Sequence, residues 1–543
     1  MASIAHQVSG KTAYLRLLVH AQAMALSPWL YAKCAFWRLT GKRLRARLRL
    51  APILGSTPHA YNLWQALREN ERDTPEEMGS ARLIALVEDG DGTEATLESL
   101  RQAGIEAQII AHDADAALRA LSNEQGELWV MPLASGDRVN PRAGKIYRNT
   151  ADAAPQSGCL IYADDDLIDR KGQRKAPHFK PDWNSELFQY HDYLTGAAIV
   201  RAGLRVEPGD DWARALIEHG ISTTRELGGE VIHCPTVLHH RRKRPEPRVP
   251  TAHPKPGSPL PSVSVLVPTR DRVDLLRTCL EGLARTDYPQ STEIIVIDNG
   301  STDPETRDYL ASLDPDFARV LRDDRDFNFS ALNNRAAVEA KGELLCFLNN
   351  DIQIADPRWL KAMAAQAIRP EVGAVGAQLL YPDGRIQHAG VVTGIGGAAA
   401  HAHRLLRPKD LGYFQRHNLP QFASAVTAAC MVVSRHKFDA VGGYDEDKFA
   451  VSFNDVDLCL RLRAKGWHNL YEPRAQLVHH ESVSRGRDLD PVGSARQRRE
   501  VEALQERWGT QLVMSEEIGE RPAHDPFHHP ELSPYSEQFV LRL

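Results

Sequence analysis

Four clusters of polar residues in the second half of the chain have the types and spacing for chemistry on a phosphorylated substrate. Three of them close apolar runs: Pro268-Thr269-Arg270 after "SVSVLV", Asp298-Asn299 after "EIIVI", and Asn349-Asn350-Asp351 after "LLCFL". In an open α/β sheet, ligands bind beyond the carboxyl ends of the strands. There, Asp298 can accept from a base imide or a ribose hydroxyl. Asp351 can hold a hard divalent cation, Mg²⁺ or Mn²⁺, which keeps waters and substrate phosphates in its shell and needs only one or two protein carboxylates. Singly, each group is as well explained as a strand-end turn; three at successive strand ends are harder to explain that way. The fourth cluster is "GGYDEDKFAVSFNDVDLCLRLRAKGW" (442–467), where Asp455 and Asp457 precede Leu458, Leu460 and Leu462. A carboxylate at a helix start is kept anionic by the dipole, which suits a general base; a plain helix cap is the alternative. In "LVHHESVSRG" (477–486), His479 or His480 can ligate a metal, and Ser484 and Arg485 can grip phosphate, or the histidines can be structural.

The apolar pattern shows what must carry these groups. From residue 262 the chain alternates strand and helix: "SVSVLVPT", "RVDLLRTCLEGLART", "TEIIVIDNG", "DPETRDYLASL", "NFSALNNRAAVEA", "ELLCFLNN". This is the pattern of a three-layer α/β domain with a largely parallel sheet. "ARLIALVEDGDG" (81–92), "TEATLESLRQAG" (93–104), "AQIIAH" and "GELWVMPLAS" (126–135) repeat the alternation earlier. "RRKRPEPRVPTAHPKPGSPLP" (241–261) is basic and Pro-rich and predicts an extended linker. Residues 126–141 align without a gap on 342–357, a weak internal repeat. The predicted organisation is a basic helical segment (1–80), a first α/β domain (81–240), the linker (241–261), a second α/β domain (262–490), and a C-terminal helix and tail (491–543).

Composition is that of a soluble, multi-domain chain: 543 residues, 42% hydrophobic, 25% charged, net charge −5. The mild acidity gives no signal for nucleic acid. Seven cysteines without a CxxC pair read as reduced core residues rather than a zinc site. The longest uncharged stretch, Leu17 to Ala32, falls short of the ~20 apolar residues that span a bilayer, and no secretory signal is seen, so a cytoplasmic protein is expected. Residues 1–50 hold nine Lys or Arg and no acid, with Trp29, Tyr31, Phe36 and Trp37 among them. This segment reads either as peripheral on the inner face of the cytoplasmic membrane or as a basic arm packed on the acidic remainder.

The second half resembles bacterial family 2 glycosyltransferases of the GT-A fold, in particular the two-domain subgroup of O-antigen and rhamnan biosynthesis. The stretches that carry the resemblance are "VPTRDR", "VIDNGSTD", "FNFSALNNRAA", "KGELLCFLNNDI", "YPDGRIQHAGVVTGIGGAAAHAH", "SAVTAACMVVSR", "GGYDE", "FNDVDLCLRLRAKG", "HHESVSRG" and "DPFHHPELS", in order across most of 262–532. The resemblance implies two Rossmann-like GT-A domains in tandem, and inverting transfer from a dTDP- or UDP-sugar to a lipid-linked or oligosaccharide acceptor. It implies Asp455 as catalytic base and Asp351, with His479 or His480, as metal site. It also implies Pro268, Thr269, Arg270, Asp298, Asn299, Asn334, Asn349, Asn350, Ser484 and Arg485 on the nucleotide-sugar, and Thr427, Asn454 and Asp457 on the acceptor side. Ala428 stands where the family pattern has Gly, and Asn454 where relatives have an acid.

The first half resembles the same subgroup through "LIYADDDLIDRKGQRKAPHFKPDWNSEL" (160–187), "HCPTVLHHRR" (233–242) and "YNLWQAL" (61–67). Its site is degenerate: Ala134-Ser135-Gly136-Asp137 stands at the metal element, "VEDGDGT" at the nucleotide strand end, and Asp211 is the one candidate base. Asp164, Asp165 and Asp166 leave a second site open. A non-catalytic or dual-site scaffold in polysaccharide assembly is the alternative function. A nucleotidyltransferase would need a Gly-rich loop that "VPTRDRVD" lacks.

Overall fold

The computed structural model describes residues 2–68, 78–110, 128–202, 211–480, 491–510, 513–515, 519–521, 525–533 and 537–543. The first sheet is built from β1 (Arg82–Glu88), β2 (Glu106–Ile110), β3 (Leu128–Leu133), β4 (Arg138–Val139), β5 (Leu160–Ile168), β6 (Arg174–His178), β7 (Ala198–Arg201) and β8 (Ile232–Arg241). Its order is β2-β1-β3-β7-β5-β8-β4, with β6 on β5.

The second half supplies β9 (Val263–Thr269), β10 (Thr292–Asp298), β11 (Arg319–Arg322), β12 (Leu344–Leu348), β13 (Ile352–Ile354), β14 (Val372–Leu380), β15 (Ile386–His388), β16 (Val391–Thr393), β17 (Ala399–His401), β18 (Gln421–Ala423), β19 (Cys430–Ser434) and β20 (His468–His479). Its main sheet runs β11-β10-β9-β12-β19-β14-β20-β13, with β15 on β14 and β18 on β20; β16 and β17 form a separate ribbon.

The two sheets match strand for strand. β10-β9-β12-β19-β14-β20-β13 with β15 repeats β2-β1-β3-β7-β5-β8-β4 with β6, and every pairing keeps its direction. The short alignment of 126–141 on 342–357 thus marks a repeat of the whole architecture. The chain is two tandem α/β units that share one topology. The sheets are mixed rather than largely parallel. In the second sheet β11-β10-β9-β12 and the pair β14-β20 run parallel, and β19 enters antiparallel between β12 and β14. That reversal sets the start of β19 beside the end of β12, with Leu348 opposite Cys430.

The central strands are buried on both faces, which is why they read as unbroken apolar runs. Val263, Val265, Val267, Cys346 and Leu348 pack to one side; Leu266, Leu345 and Phe347 pack to the other. All seven cysteines are free and buried. Helices Ala2–Leu26, Pro28–Leu39, Arg43–Gly55 and Ala60–Arg68 precede the first sheet. On the first of them Leu15, Val19 and Ala23, spaced i, i+4, i+8, pack on Leu54, Leu63 and Leu541. The tail segment "DPFHHPELS" joins the halves: Asp525 accepts from the N–H and hydroxyl of Thr393, while His529 Nε2 lies 3.1 Å from Asp164.

Candidate active site

The ends of β9, β10 and β12 are stitched to one another by several of the polar groups singled out in the sequence. Asn350 Nδ2 donates to Thr269 Oγ1 (2.9 Å) and Asn299 N to Thr269 O (2.8 Å). Asn299 Nδ2 donates to the carbonyls of Asp323 and Arg325. Asp271 accepts from the N–H groups of Thr302 and Asp303, and its own N–H donates to Ser301 Oγ. Asp271 and Arg272 sit in the left-handed region (φ 52° and 56°), a conformation that costs non-glycine residues and collects at functional loops. Thr269, Asn299 and Asn350 are buried. Hydrogen bonds from Asn299 and Asn350 hold the strand ends in register, while Asn299 Oδ1 is buried without a partner among the described residues. The Asn334 amide is paired on both sides with the backbone of Tyr444. Asp298 accepts from Ser301 N (2.9 Å) and is ion-paired to the half-exposed Arg322. Pro268 is half-buried and Arg270 exposed at the same edge. Ser484 and Arg485 lie outside the described residues.

One turn past β12, Asp351 meets the end of β20. Oδ1 of Asp351 lies 3.1 Å from His479 Nε2. Nδ1 of the same ring donates to Gln387 Oε1 on β15 (2.7 Å), and Asn349 Nδ2 lies 3.3 Å from Nε2. With Nδ1 carrying the proton, the neutral ring turns the Nε2 lone pair on a carboxylate. Two electron-pair donors face each other there, and a proton or a cation reconciles them. Their separation also fits adjacent ligands of an octahedral Mg²⁺ or Mn²⁺: ligand distances of ~2.1 Å place neighbours about 3 Å apart. Burial disfavours the charged form of Asp351; when the ring carries a proton on both nitrogens, His479 donates to the carboxylate, outweighs burial and holds the carboxyl below the usual range. His480 Nε2 lies 3.2 Å from Gln353 Oε1, and its backbone N–H donates across the β13–β20 edge to Asp351 O. Among the described residues no cluster of three or more His, Cys, Asp or Glu gathers at a point. Any cation here is held by one carboxylate and one imidazole, leaving positions for water and phosphate.

The second acid reaches the same edge through β19. Asn349 N donates to Ala429 O beside the strand end, and the next amide back, Ala428 N, donates to Asp455 Oδ2 (3.1 Å). Asp455 Oδ1 accepts from Val456 N (2.8 Å) in the first turn of helix Asn454–Ala464. Phe453, at φ 59°, turns the chain into that helix. Asp455 is half-buried, so its remaining lone pairs stay accessible. Ala428 needs only its N–H for this contact, so Ala replaces Gly without loss of it. Asn454, the first residue of the helix, is buried; its Nδ2 donates to Val451 O and its Oδ1 accepts from Asp455 N. Asp457 is fully buried against Arg461, Arg507 and Trp508 Nε1. Thr427 is buried; its N–H donates to His388 Nε2, whose Nδ1–H donates to Ala377 O. Sequence reasoning missed Gln387 and His388. The signal was present in "RIQHAG", but adjacent residues on a strand point to opposite faces, and only the fold shows what each face meets.

The profile of the family described as Glycosyl transferase family 2 matches residues 264–442, the span that carries β9 to β19 and Asp351. This chain carries a family 2 glycosyltransferase domain. It is 36% identical to the uncharacterized protein y4gI of Sinorhizobium fredii over 80% of this chain and 52% of that protein. It is 35% identical to the O-antigen biosynthesis protein RfbC of Myxococcus xanthus over 74% of this chain and 33% of that protein. The N-acetylglucosaminyl-diphospho-decaprenol L-rhamnosyltransferase of Mycobacterium tuberculosis is 29% identical over 37% of this chain and 70% of that one. The chain therefore spans about half of the first of these relatives and a third of the second.

In the gap-free match of 126–141 on 342–357, Ser135 falls at the position of Asp351 and Asp137 at that of Gln353. Asp137 lies 3.9 Å from Arg241, whose guanidinium is always charged. Asp164, Asp165 and Asp166 are buried and each is engaged by neighbouring side chains. Asp165 is taken by Lys180 and Arg244, Asp166 by Arg174, His240 and Tyr61, and Asp164 by His233 and His529. Asp211 caps helix Trp212–Glu226.

Proposed function

We propose that the protein is an inverting glycosyltransferase that moves a sugar from a nucleotide-diphospho-sugar to a growing bacterial surface polysaccharide. The observation that carries this reading is the buried Asp351–His479 pair beside a second accessible carboxylate, Asp455, at one sheet edge. Asp351 and His479 would hold Mg²⁺ or Mn²⁺, which supplies charge neutralisation for the leaving nucleoside diphosphate. Asp298 and Arg270 would meet the nucleotide. Asp455 takes the proton of the acceptor hydroxyl, and the hydroxyl oxygen attacks the anomeric carbon opposite the leaving group. The bond from that carbon to the diphosphate oxygen breaks, and configuration inverts.

RfbC and the rhamnosyltransferase support an O-antigen-like product and a hexosyl or rhamnosyl donor, dTDP- or UDP-linked. The acceptor would be a lipid-linked or free oligosaccharide at the cytoplasmic face of the membrane. In this reading the first half is a scaffold, because its acids carry internal cations. The test is a donor screen with UDP-, dTDP- and GDP-sugars in Mg²⁺ or Mn²⁺, beside Asp351→Ala and Asp455→Ala. Turnover of one donor that both substitutions abolish supports the reading. A pure scaffold would turn over no donor, and the substitutions would change nothing.

A further inference from the structure

The N-terminal helices expose several large apolar side chains and line a basic cleft. On helix Ala2–Leu26, Tyr14, Leu17 and Met24 are exposed by 65, 72 and 52%, on the side away from the packed Leu15, Val19 and Ala23. On helix Pro28–Leu39, Trp29 and Phe36 lie seven residues apart on one face, exposed by 79 and 61%, and Leu39 by 87%. Half of the exposed large hydrophobic side chains among the described residues fall within these 39 positions. Patches of this kind mark interaction surfaces.

A cleft of about 480 Å³ opens between helices Pro28–Leu39 and Arg43–Gly55, lined by Arg38, Arg43, Arg47, His20 and Tyr31, with Leu543 in its wall. Arg38, Arg43 and Arg47 form no ion pair among the described residues. Residues 1–68 contain no acid to provide one. Tyr31 Oη lies 2.9 Å from His20 Nδ1. Burial, with the charges of Arg38 and Arg16, pushes the His20 pKa down, as expected where positive charge is unbalanced.

We propose that this surface docks on a bilayer containing anionic phospholipids, with the exposed apolar side chains in the interface and a headgroup phosphate seated between Arg38, Arg43 and Arg47. Charge complementarity decides the occupant. A second copy offering the same face would bring like charges together, whereas an anionic leaflet neutralises them. Interfacial aromatics on a basic, acid-free helix pair are the signature of a helix that lies on a membrane. No helix among the described residues is long and apolar enough to cross one. The inference goes beyond the transfer reading and does not depend on it.

The experiment is co-sedimentation of the full chain with vesicles of phosphatidylcholine alone and with added phosphatidylglycerol, at low and high salt. Binding is expected only to the anionic vesicles, weakened by salt. Combining Arg38→Gln, Arg43→Gln and Arg47→Gln should weaken it on the order of 100-fold. Trp29→Ala with Phe36→Ala should weaken it roughly tenfold or more. Millimolar inorganic phosphate should not compete. Displacement by phosphate would mean a site for a soluble anion and overturn the lipid assignment. Equal binding to neutral vesicles, or none to either, overturns the proposal; self-association without vesicle binding would assign the face to a second copy. Unchanged thermal unfolding of the variants, whose substituted side chains are exposed, separates lost binding from lost folding.

Discussion

His479 presents Nε2 to Asp351 at 3.1 Å because Gln387 holds the opposite ring nitrogen at 2.7 Å. The partner sits 92 residues upstream on another strand. It sets the tautomer, and with it whether the ring offers a lone pair or a proton to the carboxylate.

Gln387→Met is therefore expected to weaken Mn²⁺ affinity by roughly 10–100-fold, while Gln387→Glu, which still accepts from Nδ1–H, should retain most of it. Electron paramagnetic resonance of free Mn²⁺ during titration reads this without turnover. Equal affinity of both variants with wild type would remove Gln387 from the site.

Asp455→Asn should lower turnover by about 10²–10⁴-fold while leaving donor affinity near wild type. Each carboxylate oxygen accepts one backbone N–H, from Ala428 and from Val456, so Asn keeps one of the two bonds and turns its NH₂ on the other donor, a cost of about 1–3 kcal/mol. Single-turnover kinetics beside nucleotide titration separates loss of the base from loss of the site.

Asp457→Asn should behave in the opposite way. Asp457 is fully buried, ties helix Asn454–Ala464 to helix Pro491–Trp508 through Arg507 and Trp508, and pairs within its own helix with Arg461. Its loss should cost roughly 2–4 kcal/mol, less than for a fully buried pair because both guanidiniums retain some water. Urea unfolding checks this. An unchanged midpoint with lost turnover would place Asp457 on the acceptor side.

The first half should show its own pH dependence. Burial raises the Asp137 carboxyl to about 6, with Arg241 opposing. A carboxyl raised on folding binds its proton more tightly in the native state, so its contribution is full below pH ~4 and is lost as pH rises through ~6. Asp137→Asn, which cannot ionise, should gain on wild type as pH rises from ~4 to ~6, by about 1.4 kcal/mol for each pH unit crossed. Chemical denaturation at both ends of that window measures it. Asp164 and Asp165 act in the other direction. Burial opposes their ionisation, but His529 and His233, and Lys180 and Arg244, hold them well below the usual range, so they favour the fold until strongly acidic pH.

Much of the architecture was legible in the chain itself. Apolar runs such as "SVSVLV" and "LLCFL" determine strands buried on both faces, and their polar ends mark the edge where Asp351 stands, because burial sets the pattern locally. The gap-free match of 126–141 to 342–357 already marked the repeat. Tertiary structure decided which polar groups are left for chemistry. Asn350, Asn299 and Asn334 read like ligands but are engaged with backbone and strand ends. Asp457 reads like a base but is surrounded by Arg461, Arg507 and Trp508. His479 and His480 are adjacent in sequence, yet strand alternation turns only His479 to Asp351. The triplet at 164–166 reads like a cation site until Lys180, Arg174 and Arg244 are seen to fill it. A side chain's type follows from the sequence. Its remaining hydrogen-bonding capacity depends on partners tens to hundreds of residues away, and only the fold brings those together.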